Sequence, residues 1–254
     1  LEILKMGHNA FITGAAGSGK THLLNEYIKY LRGHAVSIGI TASTGIAATH
    51  MGGQTIHAWS GLGIRDSLSP YDLEAMEEKS YLWKRFSEAR VLIIDEVSML
   101  HHFRLDLVEQ VARFFKRNDK PFGGMQIILC GDFFQLTPIS RGGEQPAQFA
   151  YHSDAWRDLD LKICYLEEQH RQSDKDYLEV LNAIRDNTVS EPSLDRLRGR
   201  YKKPINFAEP TKLYTHNIDV DAENMRELNK LEGEVFEYRM EGKGKENLVA
   251  TIKK

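Results

Sequence analysis

Short apolar runs alternate along the chain with segments whose apolar residues recur every three or four positions. That rhythm predicts an α/β fold built on a parallel sheet with helices on its faces. Residues 10–13 form the first expected strand. A glycine-rich turn follows, then a helix over about 21–32 in which Leu23, Leu24, Tyr27, Ile28 and Leu31 share a face, with Gly33 placed to end it. Further strands are expected at 36–41, 91–94, 126–130, 162–166 and 211–214. Helices are expected over 103–116, over 175–185 and within 224–231. Two stretches break the rhythm. Residues 52–71, rich in Gly and Ser, predict an inserted loop or small subdomain, and residues 141–151 an exposed connection between two halves. The charged tail from Glu241 reads as a second domain cut short.

Composition narrows the class without choosing a function. The chain has 254 residues, 41% hydrophobic and 27% charged, which excludes a disordered tail, a collagen-like rod and a disulfide scaffold. No apolar run approaches the ~20 residues of a membrane span, so no membrane partner is expected. A net charge of −3 is compatible with nucleic-acid binding, because a local positive stripe is enough. Cys130 and Cys164 are expected to be reduced core residues, which points to an intracellular compartment.

The chemistry lies in the turns. Gly14-Ala15-Ala16-Gly17-Ser18-Gly19-Lys20-Thr21 matches the phosphate-binding loop in full, between an expected strand and an expected helix. Backbone N–H groups and the helix N-terminus suit a nucleoside triphosphate such as ATP. Lys20 is placed to reach the β- and γ-phosphates, and the Thr21 hydroxyl to ligate Mg²⁺. The apolar run 91–94 ends in Asp95 and Glu96. An Asp at a strand end can hold the Mg²⁺ shell, and the next Glu can deprotonate an attacking water, so hydrolysis is favoured over transfer to a small acceptor.

Three further segments bear on the class. Residues 41–48 carry Thr41, Ser43 and Thr44, which can offer hydroxyls to a phosphate backbone or can simply cap a helix. Residues 52–59 carry Gly53, Thr55, His57 and Trp59, whose rings can stack on unpaired bases or fill a small local core. Gln135, after the strand at 126–130, can sense a γ-phosphate or be a solvated loop residue. His101 and His102 are expected to be solvated or capping. A kinase lid made from Arg196, Arg198 and Arg200 leaves the acidic pair unexplained. A DNA-binding module with a degenerate nucleotide site is disfavoured by the intact Lys20, Asp95, Glu96 and Gln135.

Together these residues resemble the Pif-type (petite integration frequency) DNA helicases of superfamily one, a group similar to RecD. The resemblance runs from the phosphate loop to about Met240 and is most specific over 105–139, ending Gly131-Asp132-Phe133-Phe134-Gln135-Leu136-Thr137-Pro138. Tyr165-Leu166-Glu167-Glu168-Gln169-His170-Arg171-Gln172 is similar to the fourth helicase motif, whose arginine reaches the γ-phosphate. The resemblance implies a RecA-like ATPase domain over 1–160, a wedge-type insert near 61–87, and part of a second RecA-like domain over 161–254. It implies 5′-to-3′ movement on single-stranded DNA and unwinding of duplex or G-quadruplex DNA by a monomer, in repair, recombination and telomere maintenance. The compartment is cytoplasm in a bacterium and nucleus or mitochondrion in a eukaryote. Residues 41–48 and 53–57 would line the DNA path. The family's adenine-contacting glutamine has no counterpart in residues 1–8, and its fifth and sixth motifs are expected beyond Lys254.

Overall fold

The computed structural model describes residues 1–140, 146–203, 211–234, 236–238 and 241. Its centre is a six-stranded, all-parallel sheet in the order β3–β2–β4–β5–β1–β6. The strands are β1 (Ala10–Gly14), β2 (Ile38–Ala42), β3 (Gln54–Thr55), β4 (Val91–Asp95), β5 (Gln126–Cys130) and β6 (Lys162–Leu166). The helices of this part are α1 (Glu2–Lys5), α2 (Lys20–Gly33), α3 (Gly45–His50), α4 (Ile56–Ser60), α5 (Pro70–Glu77), α6 (Ser80–Glu88), α7 (His102–Lys116), α8 (Asp154–Asp158) and α9 (Lys175–Arg185).

The central strands are apolar on both faces because both faces are covered. Alternate residues serve opposite cores. Phe11, Leu92, Ile94, Ile127 and Leu129 pack with Phe86, Val111 and Phe115 on the α6–α7 side. Ala10, Ile12, Val91, Ile93, Ile128 and Cys130 pack with Leu24, Tyr27, Ile28 and Leu31 of α2 on the other. Parallel register brings Gly14, Ala42, Asp95, Cys130 and Leu166 out near one edge of the sheet, the edge where open α/β sheets hold ligands.

Several expectations shift. Strand β6, assigned from sequence to a second domain starting at 161, pairs with β1 and so belongs to this sheet. The first compact unit runs to Leu194 and the second begins at Asp195. Within the expected 61–87 insert, Leu62, Met76, Leu82 and Phe86 are buried in the same core as α7. Gly33 lies inside α2, and Ala35 takes the left-handed conformation beyond it (φ 55°). Residues 141–145 of the expected connection lie outside the described residues. The part from 146 stays within the first unit, with Ala150 buried and Phe149 bridging to His101. Cys130 is buried and Cys164 half-buried, both as free thiols.

The chain divides within α10 (Glu191–Arg198). The second unit holds α11 (Asn217–Leu228), where Glu223 pairs with Lys212 and Arg226, and Lys230 with Glu227 at 2.7 Å. The strand expected at 211–214 does not form. Leu213 is 94% exposed, and a strand needs a neighbouring ladder to satisfy its backbone.

Candidate active site and nucleic-acid interface

The glycine-rich loop joins β1 to α2 as the motif requires. Gly19 caps α2 in the left-handed conformation (φ 85°, ψ 13°). Gly17 also has φ 85°, and a Cβ there would lie 2.6 Å from Arg171 Cβ, so no other residue fits between the two loops. Lys20 Nζ donates to the Gly14 and Ala15 carbonyls at 2.8 and 3.0 Å, holding the loop closed around its own cation. Ser18 Oγ is buried against the Gly14 backbone, without a hydrogen-bond partner among the described residues. Residues 16–21 line a cavity of about 410 Å³ with His22, Glu96, Gln135, His170 and Arg171. Four distant sequence segments thus meet there. Gly14 and Ala15 contribute carbonyls to Lys20 and do not line the cavity.

Strand β5 lies between β1 and β4, so the turn bearing Gln135 emerges between the phosphate loop and the acidic pair. Asp95, 6% exposed, accepts the Glu96 N–H at 2.8 Å and sits behind the cavity wall. Glu96 takes a left-handed conformation (φ 52°, ψ 42°), unusual for a glutamate, and lines the cavity. Burial raises the Glu96 carboxyl above its ordinary pKa. Asp95 pushes the same way, Lys20 opposes, and Asp132 adds to the rise. A more basic carboxylate is the better proton acceptor. Behind this pair, burial holds the Cys130 thiol well above its usual range, with Asp95 adding to the rise.

Sequence reasoning missed two residues here. Asp132 is 1% exposed and accepts Gln135 Nε2 at 3.0 Å. It also receives both guanidinium nitrogens of Arg185, at 2.7 and 2.8 Å. Asp132 lies in the same run as Gln135, but Arg185 is 53 residues away on α9 and has no local signal.

The expected DNA-binding residues divide. Ser43, Thr44, Thr55 and His57 line a groove of about 470 Å³ together with His101 and Arg104. Thr44 caps α3 through the Ala47 N–H (3.3 Å), and Thr55 caps α4 through the Ala58 N–H (3.2 Å). Ser43 Oγ donates to the Glu96 carbonyl at 2.7 Å, and its N–H to the Asp95 carbonyl at 3.0 Å. Two assignments fail. Thr41 is fully buried, its hydroxyl donating to the Ile93 carbonyl at 2.6 Å, so no ligand reaches it. Trp59, 5% exposed, packs edge-on to Phe86 at 4.8 Å and belongs to the core. Gly53 is a packing requirement, since a Cβ there would meet the Ile40 carbonyl oxygen at 2.3 Å. His101, expected to be solvated or capping, stands at the N-cap position of α7 without a side-chain cap bond; it is 4% exposed, with Nε2 3.1 Å from the Ile139 carbonyl oxygen.

A phosphate loop after β1, an acidic pair two strands away and a glutamine-bearing turn between them define a P-loop nucleotide-binding fold of the RecA-like type. Within that class the chain belongs to the PIF1-like helicase family, whose model matches residues 2–193. It is 49% identical over an alignment of 263 residues to the ATP-dependent DNA helicase Pif1 of Psychrobacter sp., which covers all of this chain and 40% of that protein. The crystal structure of Pif1 helicase from Candida albicans superposes with a TM-score of 0.87 at 33% identity, over 98% of this chain and 58% of that one. Pif1 helicase from Bacteroides in complex with ADP-AlF3 and ssDNA gives 0.72 at 29% identity, over 92% and 57%. The chain therefore spans less than half the length of that Psychrobacter relative.

Proposed function

We propose that this chain binds and hydrolyses ATP·Mg²⁺ and holds single-stranded DNA, as the leading motor portion of a 5′-to-3′ DNA helicase. The observation that carries the reading is the pair of Ser43 hydrogen bonds to the Asp95 and Glu96 carbonyls. They tie the hydroxyl-lined groove to the acidic end of β4, giving a change at the nucleotide a direct route to the strand-binding turn.

In this reading Lys20 leaves its loop carbonyls for the β- and γ-phosphates, while Ser18 and the loop N–H groups surround them. Thr21, which lines the cavity, and Asp95 would hold Mg²⁺, and the metal supplies charge neutralisation at the phosphates. Glu96 takes the proton of the attacking water, Gln135 orients against the γ-phosphate, and Arg171 neutralises charge developing on it. Ser43, Thr44, Thr55 and His57 meet the sugar–phosphate path. DNA binding is then salt-sensitive and largely indifferent to sequence.

The finer parts of the reading are a monomer acting inside the cell on forked duplex or G-quadruplex DNA, in repair, recombination and telomere maintenance. Residues 61–87 serve as the wedge, and the unit from Asp195 opens the second RecA-like lobe. The test is ATPase rate with and without mixed-sequence single strands. Stimulation by DNA is expected, and a rate indifferent to DNA would overturn the translocase reading.

A further inference from the structure

Helix α9 lies outside every segment credited with chemistry above, yet one face of it reaches both loops that meet the γ-phosphate position. Asn182 and Arg185, three residues apart, project from the same side of the helix. Asn182 Oδ1 accepts from Gln169 Nε2 at 3.1 Å, two residues before Arg171. The next residue, His170, donates its N–H to the Gly17 carbonyl at 2.9 Å, seating that loop on the phosphate loop. Arg185 forks onto Asp132. Its guanidinium also lies 4.5 Å over the Phe134 ring.

All the accepting capacity of Asp132 is aimed. Oδ2 takes Arg185 Nη1 and Gln135 Nε2, while Oδ1 takes Arg185 Nη2 and the Phe134 N–H at 3.2 Å. An ionised carboxylate only accepts, so the Gln135 amide must turn its nitrogen to Asp132. That leaves the Gln135 carbonyl oxygen and second N–H for the cavity. The Asp132 charge is buried and needs its cation. Without Arg185 the carboxylate would take a proton or swing towards water, and either change releases Gln135.

We propose that Arg185 is a positioning residue for γ-phosphate recognition, which through Asp132 sets the orientation of Gln135, and that the Asn182–Arg185 face of α9 braces the Gln135 and Arg171 loops as one unit. The inference rests on the ATPase reading and deepens it. Lysine cannot replace the fork, since it offers one point of charge in place of two parallel donors.

The test is a double-mutant cycle in the full chain with single-stranded DNA present. Arg185→Met should lower kcat about tenfold or more while KM for ATP changes less than about twofold. On a Gln135→Ala background the same substitution should cost less than about twofold, because the group it orients is gone. Should Arg185→Met fail to give a cooperative melting curve, Arg185→Lys carries the same cycle, with a smaller loss that is again non-additive. Equal losses on both backgrounds, or unchanged kcat in the variant, would overturn the positioning role and leave the ATPase reading standing. A wild-type chain with no ATPase activity would overturn both.

Discussion

Two turns at the same sheet edge, residues 14–21 after β1 and residues 41–59 after β2, were both marked by sequence as ligand-binding, and the structure treats them differently. In the first, the chemistry is carried by backbone conformation. Gly17 and Gly19 hold positive φ, and Lys20 rests on carbonyls of its own loop. In the second, it rests on side chains that also have structural employment. Thr44 and Thr55 cap helices, Thr41 bonds to the neighbouring strand and Trp59 fills the core. A motif that specifies backbone shape has few other uses. A hydroxyl or a ring has many.

The comparison breaks first if Lys20 proves to be structural. Lys20→Ala should abolish measurable ATP turnover and leave the melting curve unchanged, because among the described residues the ammonium donates to the loop that it serves. Turnover assays beside thermal unfolding decide it, and near-normal turnover refutes the assignment. Glu96→Gln comes next: it keeps the shape but cannot take a proton, so turnover should fall about 10²–10⁴-fold while ATP and DNA affinities hold. A matching loss of ATP affinity would make the carboxylate a binding group.

The second turn is sharpened by pairing its two rings. Trp59→Ala should destabilise the fold by about 3–5 kcal/mol, as a buried aromatic does. His57→Ala should weaken single-strand binding by about 1–3 kcal/mol, the worth of one stacked base, and cost the fold less than the loss of the Trp59 indole. Denaturant melts and fluorescence anisotropy on mixed single strands separate the two. If His57→Ala binds normally, the groove holds its strand by hydroxyls and backbone alone.

The same distinction explains what sequence could show. The strands at 126–130 and 162–166 and the helix at 175–185 match the structure. Apolar periodicity reports burial in β5, whereas in β6 and α9 the same pattern leaves Ile163, Tyr165 and Ile184 more than half exposed. Partner choice was not visible. Nothing local says that β6 pairs with β1, so a domain boundary was drawn through a sheet. The run 211–214 had the composition of a strand, but it pairs with no strand among the described residues. Much of the stretch 105–139, from which the family resemblance was drawn, is packing, with Asp132 and Gln135 at the site as the exceptions. Phe122 is fully buried, and its N–H donates to Glu109 at 3.3 Å. Arg185 escaped notice for the opposite reason: its partner is remote in sequence, and an isolated arginine near a helix end ordinarily faces water.

The smallest predicted effect is read through pH at Glu96, which faces the first turn across the cavity. The Glu96 carboxyl holds its proton more tightly in the folded chain than in the unfolded one, chiefly through burial and then through Asp95. A group raised in this way adds its full stability below the unfolded pKa, near 4.5, and loses that contribution as pH rises through the higher folded value. At neutral pH folding therefore disfavours the charged form of this glutamate, and Glu96→Gln should melt higher than the wild-type chain. The gap should close as pH falls below the ordinary glutamate range, where the carboxyl is neutral folded or unfolded. Turnover should fall on acidification at a higher pH than an ordinary glutamate would give. A melting difference that stays constant from neutral to acid would mean that Glu96 is solvated. The basicity assigned to it would then have to come from another group on the cavity wall.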